Sequence, residues 1–570
     1  MTAFAGVSVF APHSRGLFIV PRSDSPCENP TGALGCSRRA ALECCALLIG
    51  GAALIATSRL LLLGARGQAV DGDEAILGLM AGHLLDGRGV PFFFYGQRYG
   101  FSLVEASLVA AGYAMFGRDD AVLKWSMLPL WAAGWGFAVL TVRRRAGVGA
   151  AAVAGLLLAW SPAWLFWSMK ARGGYLTSFA AAHAVIWLCD RGAVGAKQAG
   201  VTRTATLLRN LFIGGGLGLV YWAQPLWLPC AAPFLAAYLF RARSAATTAA
   251  VAVSALVAMW LGYAVSTSVT SAFWSPGIFS DPDPLFSLHD LPRRLTVYFA
   301  SLHAYTVTFP AGPLGTAWAT LMLAATVAMP ATLLLRRRLH DGGPRTLALQ
   351  CAAAGTLMII MTLAANPRLF FCRYLTPLGA MTVMFLAAGW SGWRRRGGAH
   401  RALSCGASAL VAALAAGAAW ELRAFRDAVV LPTNHITTPR EIDALVEELE
   451  ASGIGHVFCL DAMLQWHITY ASRERVIARW FEELDRVPEY PKAVDAALRD
   501  GRPVALIGLD SDRADLNAFL DDISYAGARA RTVGRSFFLL PQPDEELLRR
   551  LRFKFTHPDA SAVTPWRPGL

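Results

Sequence analysis

Acidic residues are scarce in the first 420 residues of this 570-residue chain. That part carries 15 Asp and Glu against 33 Lys and Arg, whereas residues 421–570 carry 24 against 19. Its basic residues lie between long apolar runs, which argues against the basic face of a soluble nucleic-acid-binding domain. The division of charge instead indicates basic loops between membrane spans, followed by an acidic domain.

Cysteine pairs and nucleotide-binding motifs are also missing. The ten cysteines are scattered and no two have the Cys-x-x-Cys spacing, which disfavours a disulfide framework or a zinc knuckle. No Walker motif, dinucleotide fingerprint or serine-centred elbow stands out in the sequence. The first 39 residues lack a clean signal-peptide pattern and are rich in Ser, Pro and Gly, so we predict a disordered cytoplasmic leader over residues 1–39.

Apolar residues are abundant: 55% of the chain is hydrophobic, and the mean hydropathy is +0.42. Arg clusters at 143–145, 336–338 and 394–396 end long apolar runs. With about eleven spans, all three clusters fall on the same side, as the positive-inside rule requires. We therefore predict a mainly α, polytopic membrane domain over residues 40–420, with a cytoplasmic N-terminus and an extracytoplasmic first loop at 65–120.

Three segments of the membrane domain need separate interpretation. Residues 211–240 are long enough for two short spans, with Gln224-Pro225 at the turn. Ser102–Phe116 is apolar but short, and counting it as a span would move the first Arg cluster to the outside. We therefore predict an amphipathic helix on the outer surface there. Residues 121–142 and 150–167 are predicted as the second and third spans.

The acidic tail, residues 421–570, has the pattern of an extracytoplasmic α/β domain. Its predicted helices and strands lie at 439–451, 456–460, 476–478, 491–498, 504–509, 513–520 and 537–540. Asp510-Ser511-Asp512, after one of these strands, has the composition of either a binding loop or a polar turn.

Three carboxylates follow the first span, which covers about Cys45–Leu63. They are Asp71, Asp73 and Glu74, and an amphipathic stretch begins directly after them at Ile76. Carboxylates at the mouth of a membrane core serve as a general base or as a metal site. Asp73 could also act only as a helix N-cap.

The order of these features resembles the GT-C glycosyltransferases, in the branch that contains protein O-mannosyltransferases and the lipid A aminoarabinose transferase. The family's Asp-Glu pair matches Asp73-Glu74, and its surface helices end near Phe116-Gly117. Its Arg-Tyr-x-x-Pro motif matches Arg373-Tyr374-Leu375-Thr376-Pro377. This chain departs from the family at the outer end of the third span, where Lys170 and Arg172 replace the usual acidic residue.

The resemblance implies a GT-C fold and an inverting transfer of a sugar from a polyprenyl-phosphate donor to an extracytoplasmic acceptor, which is a lipid, a glycan or a protein. Asp73 is the predicted general base, supported by Asp71 and Glu74. The partners are then the lipid-linked sugar, the acceptor and membrane lipid, with no nucleic acid. Some members use a divalent metal, but the residues here do not support one, so we predict no cofactor.

Further residues are candidates for substrate binding. Cations at the outer ends of spans suit a leaving phosphate, although such residues often reach for lipid headgroups instead. Tyrosines and an amide suit sugar hydroxyls or the walls of the site. The candidates are Arg373, Tyr374, Arg172, Lys170, Tyr175, Gln97, Arg98, Tyr95 and Glu105.

Two other functions remain open from the sequence. A transporter or flippase of lipid-linked glycans predicts polar residues deep inside several spans, or inverted repeats. A non-catalytic scaffold for the tail domain would make the outer carboxylates and arginines dispensable. Together with the Ala- and Arg-rich composition, the glycosyltransferase hypothesis places the protein in a bacterial inner membrane.

Overall fold

A computed structural model describes most of the chain. The described residues are 30–63, 70–195, 202–268, 291–306, 313–334, 342–364, 372–394, 439–483 and 485–556. The chain divides into two compact units, Met1–Leu48 and Ile49–Leu570. In the first unit the described residues form the beginning of one helix, and all that follows concerns the second unit.

The described part of the membrane region is helical. Its helices are α1 (Pro30–Leu63), α2 (Gly72–Leu85), α3 (Leu103–Phe116), α4 (Asp120–Trp125), α5 (Leu128–Ala146), α6 (Val148–Trp160), α7 (Pro162–Trp167), α8 (Tyr175–Gly195), α9 (Arg203–Ala223), α10 (Leu228–Ala242), α11 (Ala245–Ser268), α12 (Leu291–Thr306), α13 (Pro313–Leu334), α14 (Gly343–Ala364) and α15 (Thr376–Arg394).

Four helical segments are long and apolar enough to cross a membrane: Ala41–Leu60, Asp120–Ala146, Ala245–Thr267 and Gly343–Ala364. The mainly helical membrane architecture is therefore confirmed, whereas the number of about eleven spans stays a prediction. The eleventh predicted span, residues 402–420, lies outside the described residues.

Two predicted spans are interrupted. The second is divided into α4 and α5 at Ser126-Met127, and the third into α6 and α7 at Ser161. Pro162 begins α7, where its missing N–H leaves no helical hydrogen bond unmade. The predicted turn at Gln224-Pro225 is confirmed, because α9 ends at Ala223 and a single 3₁₀ turn precedes α10.

The C-terminal domain is an α/β structure, as predicted. Its elements are α16 (Pro439–Ala451), β1 (His456–Cys459), α17 (Leu464–Ala471), β2 (Ile477–Arg479), α18 (Glu489–Arg499), β3 (Val504–Leu509), α19 (Arg513–Asp522), β4 (Arg531–Val533), β5 (Phe537–Pro541) and α20 (Glu545–Arg550). The strand order is β2-β1-β3-β5-β4, parallel through β2-β1-β3 and antiparallel in the remaining pairs. The predicted domain start at residue 421 lies outside the described residues.

The prediction of an amphipathic surface helix after the three carboxylates was wrong in one respect. In α2, eleven of fourteen residues are buried, on every side of the helix. The cause is α17 of the C-terminal domain, which covers α2: a Cβ on Gly78 would lie 2.4 Å from the Tyr470 ring. The predicted second surface helix is α3, which packs on α2 and leaves Met115 and Phe116 exposed.

Candidate active site at the start of α2

The start of α2 is fixed by two of its own carboxylates. Asp71 is the N-cap, and its Oδ1 accepts the Glu74 N–H at 2.9 Å. The Glu74 Oε2 accepts the Asp71 N–H at 3.1 Å, which completes a capping box. Because the first turn of a helix has free N–H groups and a positive end, both carboxylates stabilise α2 where they stand.

Asp73 and the two capping carboxylates contact a set of cations that come from distant parts of the chain. We define the ion cluster as Asp71, Asp73 and Glu74 together with Lys124, Lys170, Arg172 and Arg486. All of its contacts between opposite charges are 3.9 Å or shorter.

Glu74 is the buried centre of the ion cluster. Both of its oxygens accept hydrogen bonds from Lys124 Nζ at 2.9 Å, and Oε2 also accepts one from Lys170 Nζ at 3.0 Å. The side chain of Glu74 is 0% exposed, and those of Lys124 and Lys170 are 4% and 3% exposed. Two ammonium groups thus enclose this carboxylate and compensate its buried charge.

Asp71 is also held in its charged form. Burial alone would raise the pKa of Asp71, but the charges of Lys170 and Arg172 outweigh burial and hold it well below its usual range. Lys170 Nζ donates to Asp71 Oδ2 at 2.8 Å, and Arg172 Nη1 lies 3.3 Å from the same oxygen. Burial opposes the charge of Lys170 as well, yet Asp71 and Glu74 together raise its pKa.

Asp73 has a different environment from the other two carboxylates. It belongs to the first turn of α2 and takes no part in the capping box. Its Oδ2 pairs with Arg172 Nη2, and its Oδ1 lies 3.9 Å from Arg486 Nη2. Its contacts come from arginines at the edge of the cluster, about one-fifth exposed, and not from the buried lysines.

The segment that carries Lys170 and Arg172 is anchored by the buried carboxylate of Glu105. Glu105 Oε2 accepts the Gly174 N–H at 3.0 Å, and Oε1 accepts the N–H groups of Leu176 and Thr177, both at 3.1 Å. These donors are the free amides where α8 begins, so Glu105 caps that helix from another element. Burial nevertheless raises the pKa of Glu105.

A second anchor lies on the other side of the same segment. Arg59 of α1 is fully buried and donates to Ser168 Oγ at 3.0 Å and to the Trp164 carbonyl at 3.1 Å. Its guanidinium also lies 4.9 Å from the centre of the Trp131 ring. Arg59 and Glu105 thus hold residues 164–177 from opposite ends.

The C-terminal domain reaches this region through a network around Glu474. The Glu474 Oε1 contacts His83 Nε2 at 3.0 Å and accepts from Arg88 Nη1 at 3.0 Å and from the Tyr490 hydroxyl at 2.7 Å. His83 Nδ1 in turn contacts the Tyr95 hydroxyl at 2.7 Å. Burial, with the nearby Glu474 charge, raises the pKa of Tyr95.

Comparison with solved structures gives two similar folds. ArnT from Cupriavidus metallidurans bound to undecaprenyl phosphate matches with a TM-score of 0.56 at 12% identity, over 86% of this chain and 98% of that chain. ArnT in the apo state matches with a TM-score of 0.53 at 13% identity, over 86% and 97%. The chain has the GT-C fold.

A weaker similarity links this chain to an archaeal oligosaccharyltransferase from Archaeoglobus fulgidus in complex with zinc and sulfate. The TM-score is 0.49 at 12% identity, over 83% of this chain and 69% of that chain. No protein-family model matches the sequence, and no curated protein is significantly similar to it.

The GT-C motif residues predicted from the sequence are only partly brought together. Asp71, Asp73 and Glu74 meet Lys170 and Arg172 in one cluster. Other candidates lie elsewhere: Tyr95 contacts His83, Arg98 is exposed, and the Tyr175 ring lies 5.8 Å from the Trp167 ring.

Three more predicted residues are Gln97, Tyr374 and Arg373. Gln97 is half-buried, and its N–H donates to the Phe94 carbonyl at 2.9 Å. Tyr374 is half-buried in the 3₁₀ turn before α15. The side chain of Arg373 lies outside the described residues. Substrate-binding roles for all of these residues, and for Glu105, stay predictions.

The described part of the chain contains no group of three His, Cys, Asp or Glu side chains arranged to bind a metal ion. Asp71 and Glu74, the two carboxylates that share Lys170, already have ammonium partners at 2.8–3.0 Å. This donor set therefore fits lysine better than a divalent cation.

Sequence reasoning missed Lys124, Arg486 and Arg59. Lys124 lay inside a predicted span. A charged side chain there is costly unless it pairs with an opposite charge, and this signal could have identified Lys124. Arg486 lies in the tail domain, beyond the reach of any local pattern.

Proposed function

We propose that this protein is an integral membrane glycosyltransferase that moves a sugar from a polyprenyl-phosphate donor to an extracytoplasmic acceptor with inversion. The observation that carries the proposal is the ion cluster at the start of α2, set in a fold shared with ArnT over nearly all of ArnT's length. The ArnT structure bound to undecaprenyl phosphate supports a lipid phosphate as the carrier. A bacterial inner membrane, with the C-terminal domain outside, is consistent with the charge pattern.

Asp73 is the general base in this proposal. Both Glu74 oxygens already accept hydrogen bonds from lysines, and Asp71 is held well below its usual pKa range, which makes Asp71 a poor proton acceptor. Asp73 takes no part in the capping box, and among the described residues its ion pairs are with two arginines at the edge of the cluster. It therefore has the geometry to take a proton once Arg172 turns toward a bound phosphate.

The proposed transfer forms one carbon–oxygen bond and breaks another. The acceptor hydroxyl oxygen attacks the anomeric carbon of the donor sugar, and its proton passes to Asp73. The bond between that carbon and the phosphate oxygen breaks, and its electron pair leaves with the lipid phosphate. Arg172 and Lys170 stabilise the charge on the departing phosphate, because guanidinium and ammonium groups bind phosphate oxygens strongly.

Glu105 and Arg59 act as positioning residues in this scheme. Neither lies in the ion cluster, but they fix the segment between α7 and α8 that carries Lys170 and Arg172. A displacement of about 1 Å in such a segment can lower turnover by about 100-fold.

The first test compares wild-type protein with Asp73→Asn on a panel of undecaprenyl-phosphate sugars, with release of undecaprenyl phosphate as the measured signal. We expect turnover to fall by about 10²–10⁴-fold while undecaprenyl phosphate binding persists, because the variant keeps the cations but loses the base. Asp86→Asn is the matched control: it removes a carboxylate at the other end of α2, where Asp86 is exposed and pairs with Arg118.

Full turnover by Asp73→Asn would rule out Asp73 as the base. If the wild-type protein releases lipid phosphate from no donor in the panel and does not bind undecaprenyl phosphate, the glycosyltransferase proposal itself fails. Movement of intact lipid-linked sugar across vesicles by both proteins would favour a flippase.

A further inference from the structure

Arg486 belongs to the C-terminal domain, yet its side chain enters the ion cluster. Its Nη2 lies 3.9 Å from Asp73 Oδ1, and its Nη1 donates to the Tyr95 carbonyl at 3.3 Å. The guanidinium lies 5.2 Å from the centre of the Phe94 ring. A cation from the distant domain is thus placed beside the proposed catalytic carboxylate.

The backbone around Arg486 is fixed from both sides. The Arg486 N–H donates at 2.6 Å to Oδ1 of Asp485, whose side chain is buried. On the opposite side, Gly96 adopts φ +72°, and a Cβ there would lie 2.9 Å from the Arg486 Cα. The close approach of these two backbones therefore requires glycine at 96 and leaves Arg486 little freedom to move away.

The ion pairs of the cluster join three carboxylates to four cations among the described residues. Arg486 therefore shares its carboxylate, Asp73, with Arg172, and a monoanion beside Arg486 would give its guanidinium a short charged partner of its own. A phosphodiester, such as a sugar linked through phosphate to a lipid, carries one negative charge.

Among the four cations, Arg486 makes the longest contact with a carboxylate. Lys124, Lys170 and Arg172 all approach carboxylate oxygens within 3.3 Å, whereas the Arg486 contact is 3.9 Å. At 3.9 Å the pair is outside hydrogen-bond distance, so the Arg486 guanidinium can bind another anion without breaking a short ion pair. Its side chain is also 19% exposed, unlike the two lysines.

We propose that Arg486 binds the phosphate of the lipid-linked donor, so that the C-terminal domain supplies one of the phosphate-binding residues of the site. This inference rests on the proposed function and adds to it the group that recognises the carrier phosphate. The domain then does more than cover α2: the phosphate site is complete only when the domain is docked. After the transfer, the same guanidinium contacts the lipid phosphate that is released.

The test measures binding of undecaprenyl phosphate and of undecaprenol, its uncharged counterpart, to the purified full-length protein in nanodiscs by native mass spectrometry. Arg486→Gln should weaken undecaprenyl phosphate binding about 10- to 100-fold, the usual effect of one hydrogen bond to a charged group. Undecaprenol binding should be unchanged. Arg486→Lys keeps the charge but loses the planar fork, and should restore part of the affinity.

Arg473→Gln is the matched control. Arg473 also joins the C-terminal domain to the first loop, by donating to the Arg118 carbonyl at 3.2 Å, but it does not touch the ion cluster. Both lipid affinities should be the same in this variant as in the wild-type protein. Loss of both affinities in Arg486→Gln would show that Arg486 only holds the domain in place, and would overturn the inference.

Two other results distinguish the inference from the proposed function. If wild-type protein prefers undecaprenyl phosphate to undecaprenol and Arg486→Gln keeps that preference, the Arg486 assignment fails and the glycosyltransferase proposal stands. If the wild-type protein binds both lipids equally, the Arg486 assignment fails; if it neither binds undecaprenyl phosphate nor releases it from any donor, both proposals fail. Equal competition by phosphatidylglycerol would assign the site to an ordinary phospholipid headgroup and overturn the donor assignment.

Discussion

Glu74 is the residue on which the ion cluster depends most for stability. It is fully buried between Lys124 and Lys170, so its removal leaves two buried ammonium groups short of a counter-ion. We expect Glu74→Gln to lower the free energy of unfolding by about 3–5 kcal/mol, the usual effect of breaking a buried ion pair. Thermal unfolding in detergent measures it.

The exposed pair of Asp86 and Arg118 provides the comparison, since Asp86→Asn should change stability by about 1 kcal/mol or less. Adding Lys124→Met to Glu74→Gln should recover part of the loss, because the stranded charge is removed. Equal melting temperatures for Glu74→Gln and wild type would contradict the buried ion cluster.

Individual residues were predictable where a local pattern marked them. Asp71, Asp73 and Glu74 stood out because they follow a long apolar run directly, and the structure places all three in one cluster. The different environments of these three carboxylates were not predictable. Which carboxylate is enclosed and which one remains at the edge depends on lysines and arginines from three separate segments, and no spacing along the chain reveals that.

The short connection between α7 and α8 shows how one element positions the site. Gly173 and Gly174 both have positive φ, +45° and +84°. A Cβ on Gly174 would lie 2.7 Å from the Ala223 carbonyl oxygen, in rigid backbone. The turn can therefore bring Arg172 to the carboxylates only because glycine occupies both positions.

We expect Gly174→Ala to lower turnover about 100-fold by displacing Arg172, and to destabilise the fold by about 1–3 kcal/mol. Turnover of the lipid-linked donor and thermal unfolding are the two measurements. Gly117→Ala is the control: Gly117 has nearly the same φ, +85°, but no atom within 4 Å of an added Cβ. Equal effects of the two variants would indicate backbone strain alone.

Helices and strands were predictable where their own hydrophobic pattern determined them. Four strands and three helices of the C-terminal domain appear within a few residues of their predicted positions, whereas β4 was not predicted. The prediction of an amphipathic α2 with one exposed face was wrong, because α17 of the C-terminal domain packs on that face. The sequence analysis did not predict α17. Tertiary contacts between distant elements decide such burial, and a local period cannot report them.

At the scale of the whole molecule, Glu474 connects the C-terminal domain to α2 and the first loop. Burial alone would raise the pKa of Glu474, but hydrogen bonds from His83 and Arg88 lower it from 4.5 to about 2. A carboxyl whose pKa is depressed by folding stabilises the folded state above its unfolded pKa. That stabilisation is lost as the pH falls from about 4.5 toward 2.

The prediction is a pH-dependent difference between wild type and Glu474→Gln. The wild-type protein should melt at a higher temperature at pH 6, and the difference should shrink below pH 4.5 and vanish near pH 2. Melting curves at stepped pH measure it, and each pH compares the two proteins, so other carboxylates cancel. A difference that stays constant with pH would show that Glu474 does not titrate with folding.

The docking of the C-terminal domain on the first loop also sets the order in which the site is assembled during biosynthesis. His467 Nε2 donates to the Val70 carbonyl across 397 residues of sequence, and Arg486 donates to the Tyr95 carbonyl across 391 residues. A growing chain therefore inserts α2 and its three carboxylates long before their cover exists. Under the proposed function, we expect the nascent chain to have no transfer activity until translation is almost complete.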